Sequence, residues 1–81
     1  MKNLVLFASG GGSSVENITR IFQDEKEINI SAIYCNNPNA GLLKRSFLDQ
    51  FNIRLFNIGE FINGTILNEL TDLAPDLIVL A

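Results

Sequence analysis

Four short apolar runs punctuate this chain, and between them the hydrophobic period changes. Leu4 to Ala8 is a run of Leu, Val and Phe bounded by Ser9-Gly10. A run with no polar alternation suits a strand buried on both faces. From Ser14 to Asp24, Val15, Ile18, Ile21 and Phe22 fall at helical spacing, with Glu16, Arg20 and Gln23 on another face. Ile28 to Cys35 reads as a second strand, and Asn36-Asn37-Pro38-Asn39 is a dense turn signal. The spacing of Leu43, Phe47 and Phe51 predicts a second helix over 41–51, followed by a third strand over 53–58. Asn63-Gly64 is a turn dipeptide, so 59–63 reads as a loop or one loose turn. The next helix starts near Thr65 and carries Ile66, Leu67, Leu70 and Leu73. Pro75 stops it, because a residue before proline is pushed out of the α region. Asp76 to Ala81 is the fourth strand.

Strands alternating with helices predict an α/β fold in which a parallel sheet is covered on both faces. Right-handed crossovers then lead to a half Rossmann-like, three-layer αβα arrangement with four parallel strands in the order 3-2-1-4. The ligand crevice of such a sheet lies outside the carboxyl ends of strands 1 and 4, where the connections leave in opposite directions. In this chain those ends are 8–12 and 80–81.

Composition narrows the chemistry. Eighty-one residues make one domain. Six Lys and Arg stand against nine Asp and Glu, for a net charge of −3, which argues against a nucleic-acid partner. There is no His and one Cys, so neither a tetrahedral zinc site, a Ser-His-Asp triad nor a Cys-His pair fits within these residues. One Cys excludes an internal disulfide and points to a reducing, cytoplasmic setting. No segment is apolar enough for a membrane partner, and the short N-terminal apolar run reads as a strand because three glycines follow at once. Cys35 reads as a small buried core residue, and Lys44-Arg45 as a solvated face.

The residues that carry chemistry are Gly10, Gly11, Gly12, Ser13 and Ser14, between the first strand and the first helix. Glycines let a ligand approach the backbone closely. The amides of Gly12, Ser13 and Ser14 point outward at a helix N-terminus, where unpaired N–H groups and the macrodipole favour an anion, with a phosphate monoester the best fit. The plainer reading is a capping box, with Ser13 at the N-cap and Glu16 at N3; the two readings are compatible. A Walker A loop is excluded for want of Gly-Lys-Ser/Thr. A dinucleotide fingerprint is disfavoured, because Val15 stands where its third glycine belongs and Tyr34-Cys35-Asn36-Asn37 offers no ribose-binding acid. Asn36 and Asn37 are turn residues, at a strand end that also suits a helper role in the site.

The segment Phe7-Ala8-Ser9-Gly10-Gly11-Gly12-Ser13-Ser14-Val15-Glu16-Asn17-Ile18 resembles the start of phosphoribosylglycinamide formyltransferase, whose loop commonly reads Ser-Gly-x-Gly-Ser/Thr-Asn. Cys35-Asn36-Asn37-Pro38-Asn39-Ala40 is similar to that family's Ser-Asn-x-x-x-Ala stretch, and Pro75-Asp76-Leu77-Ile78-Val79-Leu80-Ala81 to its Pro-Asp-Leu-Ile-Val-Leu-Ala-Gly-Phe segment. The resemblance spans the chain in order and spacing. It implies the N-terminal part of an enzyme that transfers a formyl group from 10-formyltetrahydrofolate to glycinamide ribonucleotide in purine biosynthesis. It also implies that Gly12, Ser13 and Ser14 hold the substrate's 5′-phosphate through backbone N–H groups; Ser14 replaces the family's usual Asn. The family's catalytic Asn, His and Asp and its folate pocket fall beyond the position of Ala81, so residues 1–81 are expected to form a domain truncated after strand 4 and inactive alone. The unpaired sheet edge predicts self-association. The alternatives are a formyltetrahydrofolate hydrolase, a methionyl-tRNA formyltransferase, or a non-catalytic phosphate-binding α/β module. A receiver-like module is disfavoured, since Ser and Gly occupy the place of its clustered acids.

Overall fold

The computed structural model describes residues 1–81. Strand β1 (Lys2–Ala8) leads through the glycine loop into helix α1 (Ser13–Phe22), which is followed by strand β2 (Ile28–Cys35). Two 3₁₀ segments, Gly41–Lys44 and Ser46–Gln50, precede strand β3 (Ile53–Leu55). Helices α2 (Ile58–Ile62) and α3 (Thr65–Leu73) then lead to strand β4 (Leu77–Leu80). All strand pairs are parallel and the sheet order is β3-β2-β1-β4, as the alternation of periods predicts.

The pleat sorts the side chains into two cores, because successive residues of a strand face opposite sides. Leu4 and Leu6 of β1 and Ile33 and Cys35 of β2 pack with Val15, Ala40, Leu42 and Leu48 on one face. Val5, Ala32 and Tyr34 pack with Ile66 of α3 on the other. The ladder between β1 and β2 slips between Leu4, opposite Ile30, and Val5, opposite Ala32, leaving Ser31 without a partner. Asp76 fixes the start of β4: its N–H donates to the Asn3 carbonyl at 2.8 Å, and its carboxylate accepts from the Asn3 N–H at 2.7 Å.

The helical faces differ in detail from the apolar spacing. Thr19 takes the buried position on α1 by donating its hydroxyl to the Glu16 carbonyl at 2.9 Å, whereas Ile21 is 66% exposed. On α3, Ile66 is buried and Leu67 turns outward.

The helix expected over 41–51 is replaced by the two 3₁₀ segments. Their N–H groups reach back three residues, from Arg45 to Leu42, Leu48 to Arg45 and Phe51 to Leu48, at 3.0–3.2 Å. Arg45 between the two segments is extended, at φ −87° and ψ 108°, which interrupts any continuous helix over 41–51. Leu42 on one side of the break and Leu48 on the other are both fully buried.

The third strand is shorter than expected, and of the two readings of 59–63, loop or loose turn, the turn is formed, as the short helix α2. Both features trace to Asn57. Its side chain accepts from the Glu60 N–H at 2.9 Å, while the Glu60 carboxylate accepts from the Asn57 N–H at 3.2 Å. This reciprocal cap starts α2 and ends the strand. Arg54 ties the layer together, with Nη2 at 2.6 Å from Glu60 and 2.8 Å from Glu69. The Tyr34 hydroxyl donates to the same Glu69 at 2.8 Å.

Burial and, next, the Glu69 hydrogen bond push the Tyr34 phenol up to about 12. The folded value lies above the ordinary one near 10, so the stabilisation it reports is present below pH ~10 and is lost as pH rises through the folded value. Tyr34 is the sole tyrosine, so ultraviolet absorbance of the phenolate reads it alone. The titration is expected near pH 12; a midpoint near 10 contradicts this packing.

Candidate functional site

The first connection of the sheet leaves β1 at Ala8 and enters α1 at Ser13, with Gly12 in the left-handed region at φ 92°. Glycine is required there for space as well as for φ. A Cβ on Gly12 would lie 2.5 Å from Leu42 Cβ and 2.7 Å from Leu42 Cα, closer than any real contact. The 3₁₀ segment runs directly beneath the loop, and Gly41 would carry a Cβ 3.1 Å from Gly11 Cα.

Three successive loop carbonyls are engaged on this underside. Gly10 accepts from the Leu42 N–H at 3.3 Å, Gly11 from Arg45 Nε at 2.6 Å, and Gly12 from the Glu16 N–H at 2.8 Å. The N–H groups of Gly11, Gly12, Ser13 and Ser14 donate to no carbonyl or side chain of the protein. Gly10 to Val15, together with Ala8 and Ala81, line a small cleft of ≈ 100 Å³. A second hollow of ≈ 150 Å³ shares Ala8 and Ala81 and adds Phe7, Ser9, Asn36 and Phe56. The two meet at the carboxyl ends of β1 and β4, the switch point of this sheet.

The capping box expected at Ser13 and Glu16 is not formed. Gly12 is the N-cap and makes no side-chain bond, because Ser13 is already the first helical residue. Glu16 instead accepts from Arg20 Nε at 3.0 Å and from Arg45 Nη1 at 3.2 Å. The bond from Arg20, with that from Arg45, holds the Glu16 carboxyl below the usual carboxylate range. Its charge is thereby balanced by two guanidiniums, and no side-chain carboxylate lines the cleft.

All five sequence-predicted residues, Gly10 to Ser14, lie together at this cleft. Asn36 lines the adjoining hollow, while Asn37 is a turn residue whose side chain accepts from the Asn39 N–H at 2.9 Å. Cys35 is buried, as expected, with its thiol donating to the Asn37 carbonyl. The expectation of a solvated Lys44-Arg45 pair holds for Lys44 alone. Arg45, the extended residue between the two 3₁₀ segments, reaches under the loop to the Gly11 carbonyl, with its side chain 38% exposed. Nothing in its sequence neighbourhood marks that contact, which is made to a residue 34 positions away.

A parallel sheet of this order, with a glycine loop opening a cleft at its switch point, defines a Rossmann-like α/β protein. Solved structures place it more narrowly. It is similar to phosphoribosylglycinamide formyltransferase from Brucella melitensis, at 29% identity and TM-score 0.82, over 98% of this chain and 44% of that one. The enzyme of the same name from Coxiella burnetii matches at 26% identity and TM-score 0.80, over 99% of this chain and 40% of that one. That from Anaplasma phagocytophilum matches at 24% and 0.82, over 99% and 39%. No protein-family model and no curated protein matches the sequence. The chain spans less than half the length of these structures and has the fold of their N-terminal portion throughout, so the resemblance seen in its motifs extends to the whole chain.

The two glycines at the ends of the loop separate space from sequence. Gly12→Ala combines a left-handed residue with a steric overlap and is expected to destabilise by about 2–4 kcal/mol. Gly10→Ala meets nothing within 4 Å. It is expected to stay within about 0.5 kcal/mol of the parent. Urea unfolding of the two variants checks this; equal effects contradict it.

Proposed function

We propose that residues 1–81 are the N-terminal, phosphate-binding part of a phosphoribosylglycinamide formyltransferase. The observation that carries the reading is the row of unpaired N–H groups on Gly11, Gly12, Ser13 and Ser14, residues that line a cleft at the switch point of a formyltransferase-like sheet. Backbone donors at a helix N-terminus suit a phosphate because they offer partial positive charge at fixed positions. Glycinamide ribonucleotide carries such a group as its 5′-phosphate. The adjoining hollow at Phe7, Asn36 and Phe56 gives the rest of that molecule a place along the strand ends. The Ser14 side chain, standing where the resembling loops carry Asn, leaves a backbone contact unchanged.

In this reading the amine of glycinamide ribonucleotide attacks the formyl carbon of 10-formyltetrahydrofolate. A protein then has to stabilise the tetrahedral oxyanion and move protons. The 81 residues hold the phosphate end of one substrate. With no His in the sequence and no side-chain carboxylate lining the cleft, they supply no group for the transfer in this reading. The open edge of β4, with Leu77, Ile78 and Leu80 exposed, is the surface through which the chain would self-associate.

Titration of the chain with glycinamide ribonucleotide, followed by amide NMR, tests the phosphate site. Shifts are expected in residues 10–14, and their absence contradicts it. The chain alone is expected to show no formyl transfer with both substrates present; measurable turnover contradicts that part of the proposal.

A further inference from the structure

Arg45 is the one charged side chain that meets the glycine loop from beneath. Its Nε donates to the Gly11 carbonyl at 2.6 Å, and its Nη1 lies 3.2 Å from Glu16 at the first turn of α1. It is absent from the lining of the cleft, so it does not face a ligand there. Every peptide bond is trans, and in a trans peptide the C=O and the following N–H point in opposite directions. A hydrogen bond that holds the Gly11 carbonyl downward therefore holds the Gly12 N–H upward. The same relation links the Gly10 carbonyl, held by Leu42, to the Gly11 N–H, and the Gly12 carbonyl, held by Glu16, to the Ser13 N–H.

Of these three restraints, two come from backbone donors of elements that form anyway. The Gly11–Gly12 peptide is the exception. It sits between two glycines whose Ramachandran freedom would let it flip at little cost, and only a side chain holds it. A flipped peptide would present a carbonyl oxygen to the cleft in place of an N–H, turning an anion's donor into a repulsive acceptor. We infer that Arg45 is a positioning residue, which fixes the Gly11–Gly12 peptide with its N–H toward the cleft and so sets the loop's affinity for a phosphate it never touches. The inference rests on the phosphate reading of the cleft for its ligand and on the geometry alone for the peptide's orientation.

Glu16 completes the device. It draws the second arm of the guanidinium toward α1, so that the fork spans the loop and the helix and has one orientation. It also balances the arginine's charge. The loop's preference for an anion then comes from its amides, and Arg45 acts through geometry. Arg20 shares Glu16 but touches no loop residue; its guanidinium lies 3.8 Å over the Phe47 ring instead. It is therefore a matched control.

The experiment measures inorganic phosphate affinity and ligand-free amide resonances for the 81-residue chain and three variants. Arg45→Met is expected to move the Gly11 and Gly12 amides before any ligand is added and to weaken phosphate binding about tenfold, the usual worth of a hydrogen bond to a charged group. Arg45→Lys keeps the charge without the planar fork and is expected to fall between, at about threefold. Arg20→Met is expected to leave the loop amides and the affinity unchanged. Where Arg45→Met does not fold, Arg45→Lys decides. Gly11 and Gly12 amides unchanged from the parent in the folded arginine-45 variants overturn the proposal, as does an equal loss of affinity in Arg20→Met. A parent chain whose loop ignores phosphate contradicts the phosphate reading and leaves the positioning role to be judged on the ligand-free amides.

Discussion

The close approach of the 41–45 segment to the glycine loop is the contact on which the rest of the site depends. Leu42 lies where any side chain on Gly12 would have to be, and Arg45 lies where the Gly11 carbonyl has its acceptor lone pairs. The two contacts act together. Leu42 is buried in the same core as Leu4, Leu6 and Val15, so the segment is anchored by apolar packing as well as by its polar contacts. The loop then rests on a surface that has satisfied its carbonyls from below. Its N–H groups remain for the side that faces the strand ends. Two of the three loop carbonyls, those of Gly10 and Gly11, are thus held by a segment distant in sequence.

The sheet places this assembly where a ligand can reach it. β1 leads into α1 on one face of the sheet and β4 is entered from α3 on the other, and two hollows lie at their carboxyl ends. The opposite layer is secured by a second arginine. Arg54 gathers Glu60 of α2 and Glu69 of α3 at the end of β3, and Glu69 also takes the Tyr34 hydroxyl. The Arg54 bonds, with the smaller effects of Asn57 and Tyr34, hold both carboxyls below their ordinary range. Their contribution to folding is accordingly present above the ordinary carboxylate range and fades as pH falls through it. Each arginine does the same physical task on its own face: it converts a polar crossing between elements into fixed geometry.

Much of this was legible in the sequence. The four unalternated apolar runs, with helical periods between them, were enough for the parallel sheet and its 3-2-1-4 order, since handedness leaves few other arrangements. Gly10 to Ser14, between a strand and a helix, pointed to a cleft that the structure forms at the strand ends. What escaped had identifiable causes. Leu43, Phe47 and Phe51 fit an α period, but the chain is extended at Arg45 and packs Leu42 and Leu48 into the core from two separate turns. Asn63-Gly64 drew attention from Asn57 and Glu60, although that pair is itself a capping signal. The expected box at Ser13 and Glu16 failed because the left-handed Gly12 takes the N-cap and makes Ser13 the first helical residue, which leaves Glu16 to Arg20 and to Arg45, 29 residues away.

The decisive measurement is a crystal structure of the chain with glycinamide ribonucleotide. The 5′-phosphate is expected in the glycine-loop cleft, its oxygens about 2.7–3.2 Å from the amide nitrogens of Gly12, Ser13 and Ser14. The Gly11 carbonyl is expected to stay turned down onto Arg45. A phosphate bound elsewhere, or a Gly11 carbonyl turned up into the cleft, would contradict this arrangement.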